Sequence, residues 1–137
     1  MIKRLSRTGL MLALLAGPLA AQTQSDRPAM LFFDWGKLEI RGEDKALLDK
    51  VAEQWAERPS ARILITGHSD RSGPSAVNLR TSKRRAQTVH DYLAAHGVAA
   101  SAMTLQAYGE QQPVVETEDG VREVQNRRVE VSFVAGS

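Results

Sequence analysis

Arg62-Ile63-Leu64-Ile65-Thr66-Gly67-His68-Ser69-Asp70-Arg71-Ser72-Gly73-Pro74 changes character at Gly67. Before it the residues are β-branched or apolar, as a central strand covered on both faces requires; after it they are polar and turn-forming. Working outward, the next apolar positions, Ala86, Val89 and Leu93, lie at helical spacing and stop at His96-Gly97, so a helix follows the loop. Upstream, Leu47, Leu48, Val51, Ala52 and Trp55 recur at the same spacing between charged residues, which predicts an amphipathic helix over Glu43 to Arg58, closed by Pro59. Short apolar runs flank this pair: Met30-Leu31-Phe32-Phe33 as a first strand and Leu105-Gln106-Ala107-Tyr108 as a third. Residues 110–126 are polar and aperiodic, a long loop with room for one helical turn. Val129, Val131 and Phe133 then alternate with Arg128, Glu130 and Ser132 as a half-exposed last strand.

The order βαβαβ-loop-β implies parallel strands joined by helical crossovers, with the last strand completing the sheet. The expectation is an α+β sandwich: helices packed on a four-stranded mixed sheet, in one domain over residues 30–135. The length of 137 residues suits a single core.

Residues 1–21 carry the marks of a secretory signal: Lys3, Arg4 and Arg7, an apolar stretch from Gly9 to Ala16, and small residues at Ala20-Ala21 before polar Gln22-Thr23-Gln24. The apolar run is shorter than the ~20 residues needed to span a bilayer and is broken by Pro18. Cleavage after Ala21 would leave residues 22–29 as a flexible leader and release the chain into the periplasm, with no membrane insertion of the mature chain. The net charge of +2 comes from that signal: without Lys3, Arg4 and Arg7, 15 basic groups face 16 acidic ones. A nucleic-acid partner loses its support, because phosphate binding needs a sustained cationic face. There are no cysteines, which excludes disulfides, thiolate metal sites and the lipidated cysteine of a bacterial lipoprotein.

Polar groups concentrate in Gly67-His68-Ser69-Asp70-Arg71-Ser72-Gly73, Asn78 and Ser82-Lys83-Arg84-Arg85-Ala86, at the carboxyl end of a strand, where open sheets bind ligands. The bland reading is a helix cap beside a solvated basic face. Catalysis by His68, Asp70, His90 and His96 is a poor fit. His90 and His96 are six residues apart rather than three or four, and no glycine-flanked nucleophile or phosphate loop is present. No cofactor, metal or enzymatic activity is expected.

Phe33-Asp34, Gly67-His68-Ser69-Asp70 with Gly73, Asn78, Ser82 with Arg84-Arg85-Ala86, Tyr108-Gly109-Glu110 with Pro113, and Asn126-Arg127-Arg128-Val129-Glu130-Val131 form an ordered set spanning about residues 30–134. That set resembles the OmpA-like peptidoglycan-binding domain of porin tails, peptidoglycan-associated lipoproteins and flagellar stator subunits, here as a secreted stand-alone domain. The resemblance implies a non-covalent ligand, the diaminopimelate residue of the peptidoglycan stem peptide. Asp70 would take its ammonium and Arg85 its carboxylate, with Asp34, Asn78 and Ser69 shaping the pocket or bonding the ligand. Arg84 is expected in a structural ion pair. Asn126 and Arg127 are candidates for a place beside the pocket or for a structural role, and Arg85 is expected to lower the pKa of Asp70. Val77 and Thr81 depart from the family pattern at packing positions, and Trp35-Gly36 departs from it at the pocket rim. The alternative function is a periplasmic adaptor that uses the same fold to bind a protein of the cell envelope.

Overall fold

The computed structural model describes residues 27–134. The predicted signal at 1–21 and most of the leader lie outside them. The elements are β1 (Ala29–Phe32), α1 (Gly42–Glu57), β2 (Arg62–Gly67), α2 (Ser75–Ala95), β3 (Met103–Ala107) and β4 (Arg128–Val134). Single 3-10 turns cover Ala100–Ala102 and Val124–Asn126.

The strands form one sheet in the order β1-β4-β2-β3. β2 and β3 are parallel, and β4 is antiparallel to both β1 and β2. The three strands separated by helices therefore run in one direction, as the alternation predicts. The last strand slots between the first two, giving the mixed sheet. With β4 beside it, β2 is central, its Ile65 opposite Val131 on one side and Leu105 on the other.

Both helices share one core with the inward residues of the sheet: Leu31, Ile63, Ile65, Val129 and Val131 meet Leu48, Val51, Ala86, Val89 and Leu93. Fully burying such side chains contributes ~1.5–3 kcal/mol each. The opposite face is more open than the sequence suggests for β2: Leu64 is only partly buried, and Thr104 and Gln106 on β3 are exposed.

The helix ends follow from local chemistry. Glu43 and Asp44 occupy the first turn of α1, where negative charge complements the helix dipole, and an Asp44 oxygen also accepts the Phe32 N–H at 3.2 Å. Gly97, at φ 98°, ends α2 by turning the chain so that the Val98 N–H reaches the Leu93 carbonyl at 3.0 Å.

Gly67 sets how closely α2 lies on β2. A methyl group there would stand 2.0 Å from the Ser82 carbonyl oxygen. Gly109, at φ 59°, also lies close to the same helix, with its would-be Cβ 3.1 Å from Leu79 Cα, and its N–H donates to Ser82 Oγ at 3.0 Å. Gly67, Ser82 and Gly109 thus clamp the amino-terminal half of α2 to the sheet, one turn before Arg85.

Candidate functional site

A cleft of about 150 Å³ opens beyond the carboxyl end of β2, lined by Trp35, Ser69, Asp70, Ser72, Asn78, Arg85 and Arg127 among others. Three elements supply it: the loop after β1, the β2–α2 loop with the first turns of α2, and the start of β4.

Asp70 is 3% exposed, and both carboxylate oxygens are engaged. Oδ1 accepts from the Ser72 N–H at 3.2 Å and the Ser72 hydroxyl at 2.5 Å. Oδ2 accepts from the Glu123 N–H at 3.1 Å and from Arg127 Nη1 at 2.9 Å. Burial alone would raise its pKa. The hydrogen bonds from Ser72, Arg127 and Glu123 outweigh that and hold the carboxyl below its ordinary value. The expected lowering is present, but its donors are these rather than Arg85, which makes no direct ion pair with Asp70.

Arg85 is 2% exposed. Its Nε donates to the Lys37 carbonyl at 3.2 Å and its Nη2 to the Asp34 carbonyl at 3.5 Å, while the guanidinium carbon lies 5.3 Å from the Phe33 ring centroid. Nη1 makes no hydrogen bond among the described residues and remains available at the cleft. Burial lowers the pKa to about 10, with Asp70 opposing the shift and Arg127 adding to it. The group stays cationic at neutral pH.

The other expected residues are placed differently from one another. Ser69 is buried in the cleft wall, its N–H on the Gly109 carbonyl at 2.8 Å and its hydroxyl on the Asp70 carbonyl at 3.0 Å. Asn78 lines the cleft and ties the loop by donating to the Gly73 carbonyl at 2.9 Å. Asp34 does not line the cleft: its carbonyl accepts from Arg85, and its carboxylate turns outward to Arg41 at 2.7 Å. Arg84 is exposed and forms no ion pair among the described residues, so its expected structural pairing is absent there.

The closing motif divides cleanly. Asn126 is structural: its side chain accepts from Val114 and Val115 N–H at 2.8 and 3.0 Å and donates to the Val115 carbonyl at 2.8 Å, stapling the long loop. Arg127 enters the cleft, with Nε on the Phe33 carbonyl at 2.9 Å and Nη1 on Asp70. A signal for it was available. Arg127 is in phase with Val129, Val131 and Phe133, the inward series of β4, whereas Arg128 belongs to the outward series.

The histidines do not gather. His68 is buried on the far side of the β2 end, 3.0 Å from Glu130 Oε2 and stacked on Tyr108. Burial, with the charge of Arg128, pushes its pKa down to about 4 against the pull of Glu130, so it is neutral. His90 and His96 lie on and just beyond α2, beside Asp91 and Tyr92 respectively. Among the described residues no group of three or more His, Cys, Asp or Glu is arranged to hold a metal ion.

A buried acid beside two buried guanidiniums, at the end of a central strand, suits a small ligand carrying charge. The profile of the OmpA family matches residues 32–127. The chain belongs to the OmpA family. It is 36% identical over 107 residues to the peptidoglycan-associated lipoprotein of Rhizobium meliloti, covering 78% of this chain and 60% of that protein. It is 33% identical over 103 residues to the peptidoglycan-associated lipoprotein of Haemophilus influenzae, covering 75% of this chain and 67% of that one. Against an outer membrane protein of Gluconacetobacter diazotrophicus it is 35% identical but spans only 29% of the length. The OmpA-family fold is equally evident in three dimensions. The crystal structure of the peptidoglycan-associated lipoprotein from Burkholderia pseudomallei superposes with a TM-score of 0.72 at 29% identity, covering 90% of this chain and 98% of that one. The C-terminal domain of Helicobacter pylori MotB, at 19% identity and a TM-score of 0.69, shares the fold. Among the described residues no helix is long and apolar enough to cross a membrane.

Proposed function

We propose that this chain binds peptidoglycan without catalysis, in the periplasm, through the free zwitterionic end of diaminopimelate: Arg85 takes the carboxylate and Asp70 the ammonium. Residues 1–21 would serve as the export signal, 22–29 as a leader and 30–135 as the binding domain. The observation that carries the reading is Arg85. It is buried, fixed by two backbone carbonyls, and still holds Nη1 donors free at the cleft floor beside a buried carboxylate. A planar guanidinium so fixed matches a carboxylate well. Relatives named as peptidoglycan-associated lipoproteins support the ligand class.

The two halves of the zwitterion are not held alike. Asp70 already accepts four hydrogen bonds, so an ammonium must share rather than fill an empty site. Its best seat is between Asp70 Oδ1 and Ser72 Oγ, because the hydroxyl, which donates to Asp70 and accepts from Trp35 Nε1, keeps one lone pair. The floor bears one carboxylate and the two guanidiniums of Arg85 and Arg127, a net positive charge, so the ligand carboxylate is the stronger determinant. Charge-assisted hydrogen bonds contribute ~1.5–3 kcal/mol each, and association costs a comparable sum. Single stem peptides should bind weakly and a polymeric wall strongly, through rebinding.

The test is sedimentation of the purified domain with isolated sacculi. Walls containing diaminopimelate should retain it and walls with lysine at that position should not, since lysine lacks the carboxylate. Asp70→Ala and Arg85→Ala, checked for folding by circular dichroism, should both reduce retention at least tenfold. Equal retention of parent and folded variants, or no preference between the walls, overturns the assignment.

A further inference from the structure

We propose that Trp35 and Val77 form apolar jaws over the charged floor of the cleft, and that Trp35 grips the hydrocarbon stem that carries the ligand's zwitterionic head. This deepens the peptidoglycan reading and rests on it: the floor recognises the head, the jaws the methylenes behind it.

Two of the exposed large apolar side chains line the cleft. Trp35, 50% exposed, stands on the loop after β1, and Val77, 41% exposed, stands in the first turn of α2. They come from different elements, while the floor groups Asp70, Arg85 and Arg127 are all buried. Scattered apolar residues on a surface need no explanation, but an exposed tryptophan fixed in place at a cleft mouth does. The ring is fixed twice. Its Nε1 donates to Ser72 Oγ at 3.1 Å, and the Arg122 guanidinium carbon lies 3.5 Å from the ring centroid. The cation stacked on the ring ties the β1 loop to the long loop before β4, and the hydrogen bond ties it to the β2–α2 loop. The tethered ring leaves half its surface bare and loses little freedom when a ligand covers it.

A stemless amino acid would use only the floor. A head carried on a short methylene chain, as in diaminopimelate, would lay that chain against Trp35 and Val77 as the head reaches Arg85. Each methylene removed from water should strengthen binding roughly fourfold.

The experiment uses a Trp55→Phe background. Trp35 is then the sole tryptophan of the two in the chain, and Trp55, bonded to the Ala61 carbonyl at the end of α1, lies away from the cleft. Fluorescence titration with L-alanyl-γ-D-glutamyl-meso-diaminopimelate should shift the Trp35 emission to shorter wavelength. By calorimetry in the otherwise unmutated chain, Trp35→Ala should raise Kd roughly fourfold or more, and Trp35→Phe should stay within about twofold of the parent. An unchanged or tighter Trp35→Ala overturns the inference. So does a Trp35→Phe as weak as Trp35→Ala, because the effect would then lie in the hydrogen bond to Ser72. A parent that binds neither the tripeptide nor sacculi overturns the peptidoglycan reading itself, and the jaws with it, and that result is distinct from a binding parent with indifferent Trp35 variants.

Discussion

Two clefts open side by side around the carboxyl end of β2 and share Ser72 and Gly73. One is about 700 Å³ and is lined by Arg71, Glu110, Glu116 and Asp119; the other, of about 150 Å³, holds Asp70, Arg85 and Arg127. The larger is not the better site. Arg71 is consumed by the loop it holds: Nε donates to Glu110 at 3.1 Å, Nη1 to the Thr117 carbonyl at 3.0 Å, and the Asp119 carboxylate closes the set. In the smaller cleft the charges are buried and one guanidinium retains free donors. Adjacent residues, Asp70 and Arg71, thus face different ways, the first into the floor of the proposed site and the second into a loop staple. What marks the proposed site is buried charge whose unfilled hydrogen-bonding capacity opens into a cleft, not volume.

The sharpest way to break this contrast is Asp70→Ala. Removing the carboxylate leaves Arg127 and Arg85 buried near one another without their counter-charge and frees the Ser72 and Glu123 N–H groups. Losing one partner of such a pair costs ~3–5 kcal/mol. Urea unfolding should show a loss of that size together with loss of sacculus retention. A variant within about 1 kcal/mol of the parent would mean that the floor is not held by Asp70.

A pH series separates the floor from the other face of the same strand end. The Asp70 carboxyl is depressed in the folded protein, so its stabilisation is complete above the ordinary value of 3.8 and fades only as pH falls through the lower folded value. His68 works in another window. Its pKa falls from 6.5 to about 4 on folding, so the unfolded chain binds the extra proton between those values, and stability declines as pH drops across them. Acidification from pH 6.5 to 4 should therefore weaken the fold, by on the order of 2–3 kcal/mol, while the cleft keeps its charge. Unfolding free energies should fall over that range in the parent and run flatter in His68→Gln, with sacculus binding steady in both wherever they stay folded. A parallel loss of binding and stability would place the acid-sensitive group in the cleft instead.

Much of this architecture was legible in the sequence because hydrophobic period reports it directly: Leu48, Val51 and Ala52, or Val129 and Val131, can face only one way. The insertion of β4 between β1 and β2 was not, because strand order depends on long-range pairing that no local pattern encodes. The third strand begins at Met103 rather than Leu105, since the 3-10 turn at Ala100–Ala102 leads into it without a break in polarity. Within the cleft, Asp70 and Arg85 both line the wall. Asp34 does not bring its carboxylate, for Arg41 lies seven residues on and captures it. Arg127 was hidden by its twin Arg128, although strand alternation sends the first to the cleft and the second to the opposite face of the sheet, where it is buried against the Gln112 carbonyl at 3.0 Å.

Arg71→Ala should give the smallest effect and test the other half of the contrast. Its three contacts are partly solvent-exposed, and each such pair contributes no more than ~1 kcal/mol. The Arg71 backbone remains to accept the Gly120 N–H at 2.7 Å, and Asn126 still staples Val114 and Val115. The expected stability loss is therefore about 1 kcal/mol, with faster hydrogen exchange of the amides at 117–120 and sacculus retention near that of the parent. If retention instead falls as far as in Asp70→Ala, the large cleft takes part in binding. The loop that delivers the Glu123 N–H to Asp70 is the same loop Arg71 secures, so a modest fall limited to the variant's added mobility should be recovered by Arg71→Lys, which keeps a cation opposite Glu110 and Asp119.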